Sequence, residues 1–223
     1  MKKSIAIVIV LASGLFCVTT KAGPTYSFIH IVEPGDGPAE LTDGAIGEAQ
    51  LFVELTDIGS QVEFTFTNIG PESSSITDVY FDDGTLLGIA EITNTIGLVE
   101  FSENASPPDL PGGNNVSPPF VTTAGFSADS DPPTQPLGVN PGEFLKITFD
   151  LQVGGVFDDI LDELESDNLR IGIHVQGYSS GGSESFVNNG EFDPHQVIPA
   201  PSALILCSIG AGFVNRLRRR RTL

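Results

Sequence analysis

The sequence predicts an all-β fold: an antiparallel β-sandwich of jelly-roll type with one short helix. Three observations carry that expectation. Apolar residues recur at every second position through most of the chain's middle, clusters of Gly, Asn, Asp and Pro punctuate these runs, and one stretch has helical spacing.

The elements follow in order. His30 belongs to an opening strand. In 51–56, Leu51, Val53 and Leu55 share one face, and after the turn at 57–60 the strand 61–67 turns Val62, Phe64 and Phe66 inward. Two alternating strands around a short Gly-containing turn are a hairpin signal. The turn cluster 68–75 leads to a strand at 76–81, which ends at Asp82-Asp83-Gly84; 86–92 and 98–101 read as further strands. From 102 to 140, Pro and Gly are so dense that a long surface loop is expected, with one strand near 120–126. A domain linker is disfavoured, because neither half alone has enough strands to close a core. The strand 143–153, expected to be the longest, aligns Leu145, Ile147, Phe149, Leu151 and Val153. The helix 158–165 follows, with Asp158 as its cap and Ile160, Leu161 and Leu164 as its apolar stripe. A strand at 168–176 buries Leu169, Ile171, Ile173 and Val175, and a last strand surrounds Phe186 and Val187.

The chain ends are of a different character. Lys2 and Lys3 precede an apolar run from Ile5 to Val18, and Thr20-Lys21-Ala22 offers small residues for signal peptidase, so the expected cut lies between Ala22 and Gly23. An uncleaved N-terminal anchor is the alternative; the shortness of the run favours cleavage. Three units follow: a signal peptide at 1–22, an ectodomain at 23–196 and a tail at 197–223. In the tail, Pro199-Ala200-Pro201 precedes 13 residues without charge, 202–214, and then Arg216, Arg218, Arg219, Arg220 and Arg221. A helix of that length spans about 20 Å, short of a hydrocarbon core of about 30 Å, and arginines beyond it stay on the cytoplasmic side.

Charge and cysteine content narrow the function. All 29 acidic residues lie between Glu33 and Asp193, against only Lys146 and Arg170 in the same region, a formal −27. Such a surface repels phosphate backbones, so nucleic-acid binding is not expected. The two cysteines, Cys17 and Cys207, fall in the leader and the tail, which removes disulfides, thiolate catalysis and Cys-based metal sites from the ectodomain.

The tail resembles the PEP-CTERM sorting signal of bacterial exosortase substrates, with Ala200 where that motif has Glu. The resemblance implies export through the inner membrane, anchoring by the tail, and recognition and cleavage there by an exosortase. The stretches 62–68, 76–83, 169–177 and 183–187 also resemble a group of PEP-CTERM surface proteins. That likeness implies a place at the cell surface or in an exopolysaccharide or biofilm matrix, and implies no reaction.

Candidate chemistry is sparse. Asp78, Asp82 and Asp83 at a strand-to-turn corner, with Asp129 and Asp131 in the long loop, supply hard oxygen ligands of the kind Ca²⁺ takes. Turn chemistry on an acidic surface explains the same residues and is favoured over the metal. His174 alternates with buried Ile173 and Val175 and reads as structural or solvent-facing; nothing pairs His30, His174 and His195 by sequence. Ser183 lacks the second glycine of a nucleophile elbow. The leading expectation is a non-enzymatic exported surface or matrix protein. A carbohydrate-binding or Ca²⁺-dependent adhesive module is second, although three tyrosines and no tryptophan are few aromatics for sugar stacking. An unrecognised hydrolase is third.

Overall fold

Alternation of apolar and polar side chains is realised as a sheet curled on itself. The computed structural model describes residues 22–82, 87–95, 97–123, 126–152 and 154–190. The expected signal peptide up to Lys21, the expected sorting tail with Pro199, Ala200, Pro201 and its arginines, and Asp83 lie outside the described residues.

Ten strands are present: β1 (Ala22–His30), β2 (Leu51–Asp57), β3 (Gln61–Asn68), β4 (Ser75–Asp82), β5 (Leu87–Thr93), β6 (Phe101–Glu103), β7 (Ser127–Ser130), β8 (Phe144–Leu151), β9 (Arg170–Gln176) and β10 (Glu184–Asn188). All neighbours are antiparallel, in the order β5-β8-β3-β2-β1-β10-β9-β4-β7-β6. β1 is the hinge of the curl. Its first part pairs with β2, Tyr26 opposite Val53, and its last part pairs with β10, His30 opposite Phe186.

Curling brings an aromatic cluster together from strands far apart in sheet order. The ring of Phe81 on β4 meets Phe149 on β8 at 4.8 Å and Phe64 on β3 at 5.3 Å, both edge to face. Phe64 and Phe149 also touch each other at 5.5 Å. All three are fully buried, each contributing about 2–3 kcal/mol from burial, with about 1 kcal/mol more per edge-to-face pair. The alternation of β3 is matched by its burial, with Val62, Phe64 and Phe66 in the core and the residues between them half-exposed.

β4 departs from simple alternation, being buried along nearly its whole length. Phe81 and Val79 enter the main core, while Tyr80 faces a second cluster with Ile31, Ala105, Leu110 and Phe120. That cluster is the Pro-rich segment folded down over the outer face of β4. The expected open loop at 102–140 is therefore a packed layer that also holds β7 and a short helix α2 (Thr134–Leu137). The strand expected near 120–126 lies instead at Ser127–Ser130. Arg170 holds the Pro118 and Pro119 carbonyls at 2.6 and 2.8 Å, and past them Thr123 and Phe126 bond to the backbone of Phe81, at 2.9 and 3.0 Å.

The expectation of one short helix is corrected to three α-helices among the described residues. The helix expected at 158–165 is α3 (Phe157–Glu165), with Ile160 and Leu164 buried. Its cap differs from the expected Asp158: Val156 is the capping residue, and its N–H donates to the Asp159 carboxylate at 2.9 Å. The additional long helix is α1 (Pro38–Gln50), opened by Gly37, whose N–H donates to Glu40 at 2.9 Å, with Pro38 in its first turn. β8, expected to be the longest strand, has eight residues to the nine of β1. None of the helices in the described residues is long and apolar enough to cross a membrane.

α1 lies against β1 and β10 through glycines. A Cβ on Gly47 would stand 2.2 Å from the Phe186 ring, and one on Gly44 would stand 2.3 Å from Nδ1 of His30. Gly47→Ala gains about 1 kcal/mol in helix propensity but overpacks a fully buried ring at a cost of about 1–3 kcal/mol. The expected outcome is a net loss of about 1 kcal/mol, read as a lower urea midpoint at unchanged slope.

Candidate functional site

Two polar clusters stand on this scaffold, one anticipated from sequence and one not. The first grows from strand register. β4 lies between β7 and β9, so Asp78 faces Asp129 on one side and His174 on the other. Asp78 is 2% exposed. Its Oδ2 accepts from Thr77 Oγ1 at 2.8 Å and faces His174 Nδ1 at 3.0 Å, while Oδ1 is buried without a hydrogen-bond partner among the described residues. His174 is thus half-buried and structural, one of the two roles expected for it. Burial pushes the Asp129 carboxyl up to about 6, and repulsion by Asp78 adds to the rise against a hydrogen bond from the Ser106 backbone. Tyr80, whose hydroxyl donates to the Pro107 carbonyl at 3.0 Å, is raised first by burial and then by Asp78 and Asp129.

Asp82 and Asp131, also expected to serve Ca²⁺, are engaged elsewhere. Asp82 forms an ion pair with Arg170 and accepts the Val121 N–H at 3.2 Å. Asp131 accepts from Ser102 Oγ at 2.8 Å. The structure brings Asp78 and Asp129 together and employs Asp82 and Asp131 as anchors of the Pro-rich layer.

The second cluster sits where β1 leaves the β2 ladder. His30, the last residue of β1, points Nε2 at Glu184 Oε2, 2.8 Å away, and both side chains are nine-tenths or more buried. Its backbone N–H donates to Glu48 of α1 at 3.0 Å. Asp36, in the connection from β1 to α1, accepts the Glu33 N–H at 2.7 Å. One ligand atom each from His30, Asp36 and Glu184 lies within 4.8 Å of the other two, the one group of this kind among the described residues. Asp43, buried on α1, accepts from Ser180 Oγ. Burial pushes the Glu184 carboxyl up; His30 opposes this, and Asp36 and Asp43 reinforce it. The buried Tyr178 hydroxyl has no hydrogen-bond partner among the described residues and is raised first by burial, then by Asp43 and Glu184.

Sequence reasoning missed this cluster. Glu184 is 154 residues from His30, and the helix that covers both was unread. Its start was signalled by Gly37-Pro38 with Glu40 three residues after the cap, but Gly44 and Gly47 weaken the helical pattern. Among the described residues no serine hydroxyl is hydrogen-bonded to a histidine of either cluster. Ser180 is bonded to Asp43, Ser183 is exposed, and the imidazole of His30 is taken by Glu184. Ala22 and Gly23 open β1, Ala22 opposite Thr56.

No family model, curated protein or solved structure matches the chain.

The Asp78–Asp129 pair makes stability depend on pH in a definite direction. The folded-state value of Asp129, about 6, lies above its ordinary 3.8, so the folded protein holds that proton more tightly than the unfolded chain. Stability from this group is fully present below about pH 4 and is lost as the pH rises to about 6. Asp129→Asn removes the repulsion and sets an amide N–H beside the Asp78 carboxylate. With solvent screening of a half-buried carboxylate allowed for, the variant gains about 1 kcal/mol at pH 7, or about 2–4 °C. The gap closes at pH 4, which thermal melts of both proteins across that range check.

Proposed function

We propose that the chain is a non-enzymatic protein exported through the inner membrane to the cell surface or an extracellular matrix, delivered and processed by an exosortase acting on its C-terminal tail. The observation that carries this reading is the order of parts: a leader with a cut expected at Ala22-Gly23, an acidic cysteine-free β fold, then Pro199-Ala200-Pro201, an apolar run and Arg216–Arg221. The folded unit is consistent with it: a core built on aromatic burial stands without disulfides. We read the two halves of the curled sheet as the facing layers of a jelly-roll-like sandwich. The −27 charge suits a hydrated matrix, in which exopolysaccharide is the proposed neighbour.

The competing readings have less behind them. Ca²⁺-dependent adhesion loses Asp82 to Arg170. A cleft of about 280 Å³ near Ser75, Gln135, Pro136 and Asn140 has no aromatic wall on which a sugar would stack. The hydrolase reading finds Ser180 and His30 engaged with different carboxylates.

The test is mass spectrometry of the full chain expressed in an exosortase-bearing host and in the same host without the enzyme. The mature form is expected to begin at Gly23 in both and to lack Arg216–Leu223 only in the first. A Pro199→Ala, Pro201→Ala double variant is expected to keep the tail in both. An intact Arg216–Leu223 terminus in the exosortase-bearing host overturns the sorting proposal.

A further inference from the structure

We propose that His30, Asp36 and Glu184 form a binding site for a divalent transition metal of the Zn²⁺ class, with three protein ligands and an open position. The donor set is the first argument. One imidazole nitrogen and two carboxylate oxygens match the ligands Zn²⁺ takes, whereas Ca²⁺ takes six to eight oxygens. The spacing is the second. Nitrogen and oxygen ligands about 2.1 Å from a tetrahedral ion stand about 3.4 Å from one another. The three atoms lie within 4.8 Å of each other and His30–Glu184 at 2.8 Å, so shifts of about 1 Å convert the hydrogen-bonded pair into a ligand set. Asp36 sits between Gly35 and Gly37, with Gly35 at φ +117, and the connection can follow the side chain.

Electrostatics supplies the third argument. Asp36 and Glu184 face a single imidazole, Asp43 and Glu184 both lie near Gly182, and α1 brings Glu48 to the His30 backbone. A divalent ion reverses the sign of that field. The fourth is the Tyr178 hydroxyl, 97% buried by its 3% exposure and unpartnered among the described residues, within electrostatic reach of Asp43 and Glu184. A buried hydroxyl without a partner calls for one, and a water on the open position of the ion is such a group. Outer hydrogen bonds of this sort orient metal sites.

The full chain, stripped with chelator and titrated with Zn²⁺ alone, is expected to bind one equivalent at His30. Saturation is expected to raise the melting temperature by about 4 °C or more, and Co²⁺ in its place is expected to give visible absorption of a low-coordinate N/O site. Asp36→Asn keeps an oxygen for the Glu33 N–H and leaves the core untouched, so it tests the site without threatening the fold. It and Glu184→Gln are each expected to weaken Zn²⁺ at least tenfold, whereas a Cys17→Ser, Cys207→Ser double variant binds as the wild type does. The proposal is overturned if neither Zn²⁺ nor Co²⁺ binds, or if binding is unchanged in both Asp36→Asn and Glu184→Gln. A thermal shift with Ca²⁺ and none with Zn²⁺ overturns it equally.

Discussion

The fold depends on one strand serving two ladders. β1 gives Ala22, Thr25, Tyr26 and Ser27 to β2, then Phe28, Ile29 and His30 to β10. Without it the sheet would be cut between β2 and β10, leaving two inner edges with unpaired N–H and C=O groups, which are templates for association. The change of partner lets the sheet turn back on itself, and Tyr26 and Phe28, both 1% exposed, are buried on either side of the change. From that turn follows the meeting of Phe81 with Phe64 and Phe149, residues of strands well separated in sheet order.

Charge imposes a second constraint. With Lys146 and Arg170 the only cations among 29 acidic residues, each has a structural post. Lys146 lies 2.6 Å from Glu63 across the β3–β8 pair and pulls down the Glu54 carboxyl that burial raises. Arg170 binds Asp82, holds the Pro118 and Pro119 carbonyls and lies 5.4 Å from the centre of the Phe120 ring. One buried guanidinium thereby fastens the Pro-rich layer to the outer face of β4. Its planar fork with several donors reaches three acceptors at once, which the point charge of a lysine does not do. Both cations being committed, the carboxylates around His30 and around Asp78 must be handled by other means. Asp129 does so by taking up a proton more readily, its carboxyl raised to about 6.

What the sequence disclosed and what it concealed follow from the range of the forces involved. Period two is a local signal, so the pairing of Leu51–Thr56 with Gln61–Thr67 and the buried faces of β8 and β9 were legible. So was the apolar stripe of Ile160 and Leu164. α1 was not, because Gly44 and Gly47 are poor helix residues in isolation and are favoured here only by the closeness of His30 and Phe186. Pro-rich composition marked the irregular stretch 104–123, but not that Ser102 and Glu103 join β6 and that Ser127–Ser130 form β7 within the expected loop. It could not report that Leu110 and Phe120 would be buried against Tyr80, a contact that needs β4 already in place. The Asp78–Asp129 proximity was half-legible: both residues were singled out, but register alone shows that they face each other while Asp82 goes to Arg170.

The position of the His30 cluster is itself a consequence of the curl. A strand leaving one ladder for another ends where the backbone of neither half fully covers it, and the chain must then cross over the sheet to reach β2. α1 makes that crossing, and its two glycines let it lie close enough to enclose His30 while Asp36 and Asp43 arrive at either end of its first turns. Glu184 arrives from the first residue of β10, the strand β1 has just joined. Polar side chains from three elements are thus delivered to one partly enclosed place by the step that closes the sheet. The interior of the curl is lined instead by Phe64, Phe81 and Phe149. The proposed ligand set thus stands at the outer seam of β1, where the step that closes the sheet brings His30, Asp36 and Glu184 together.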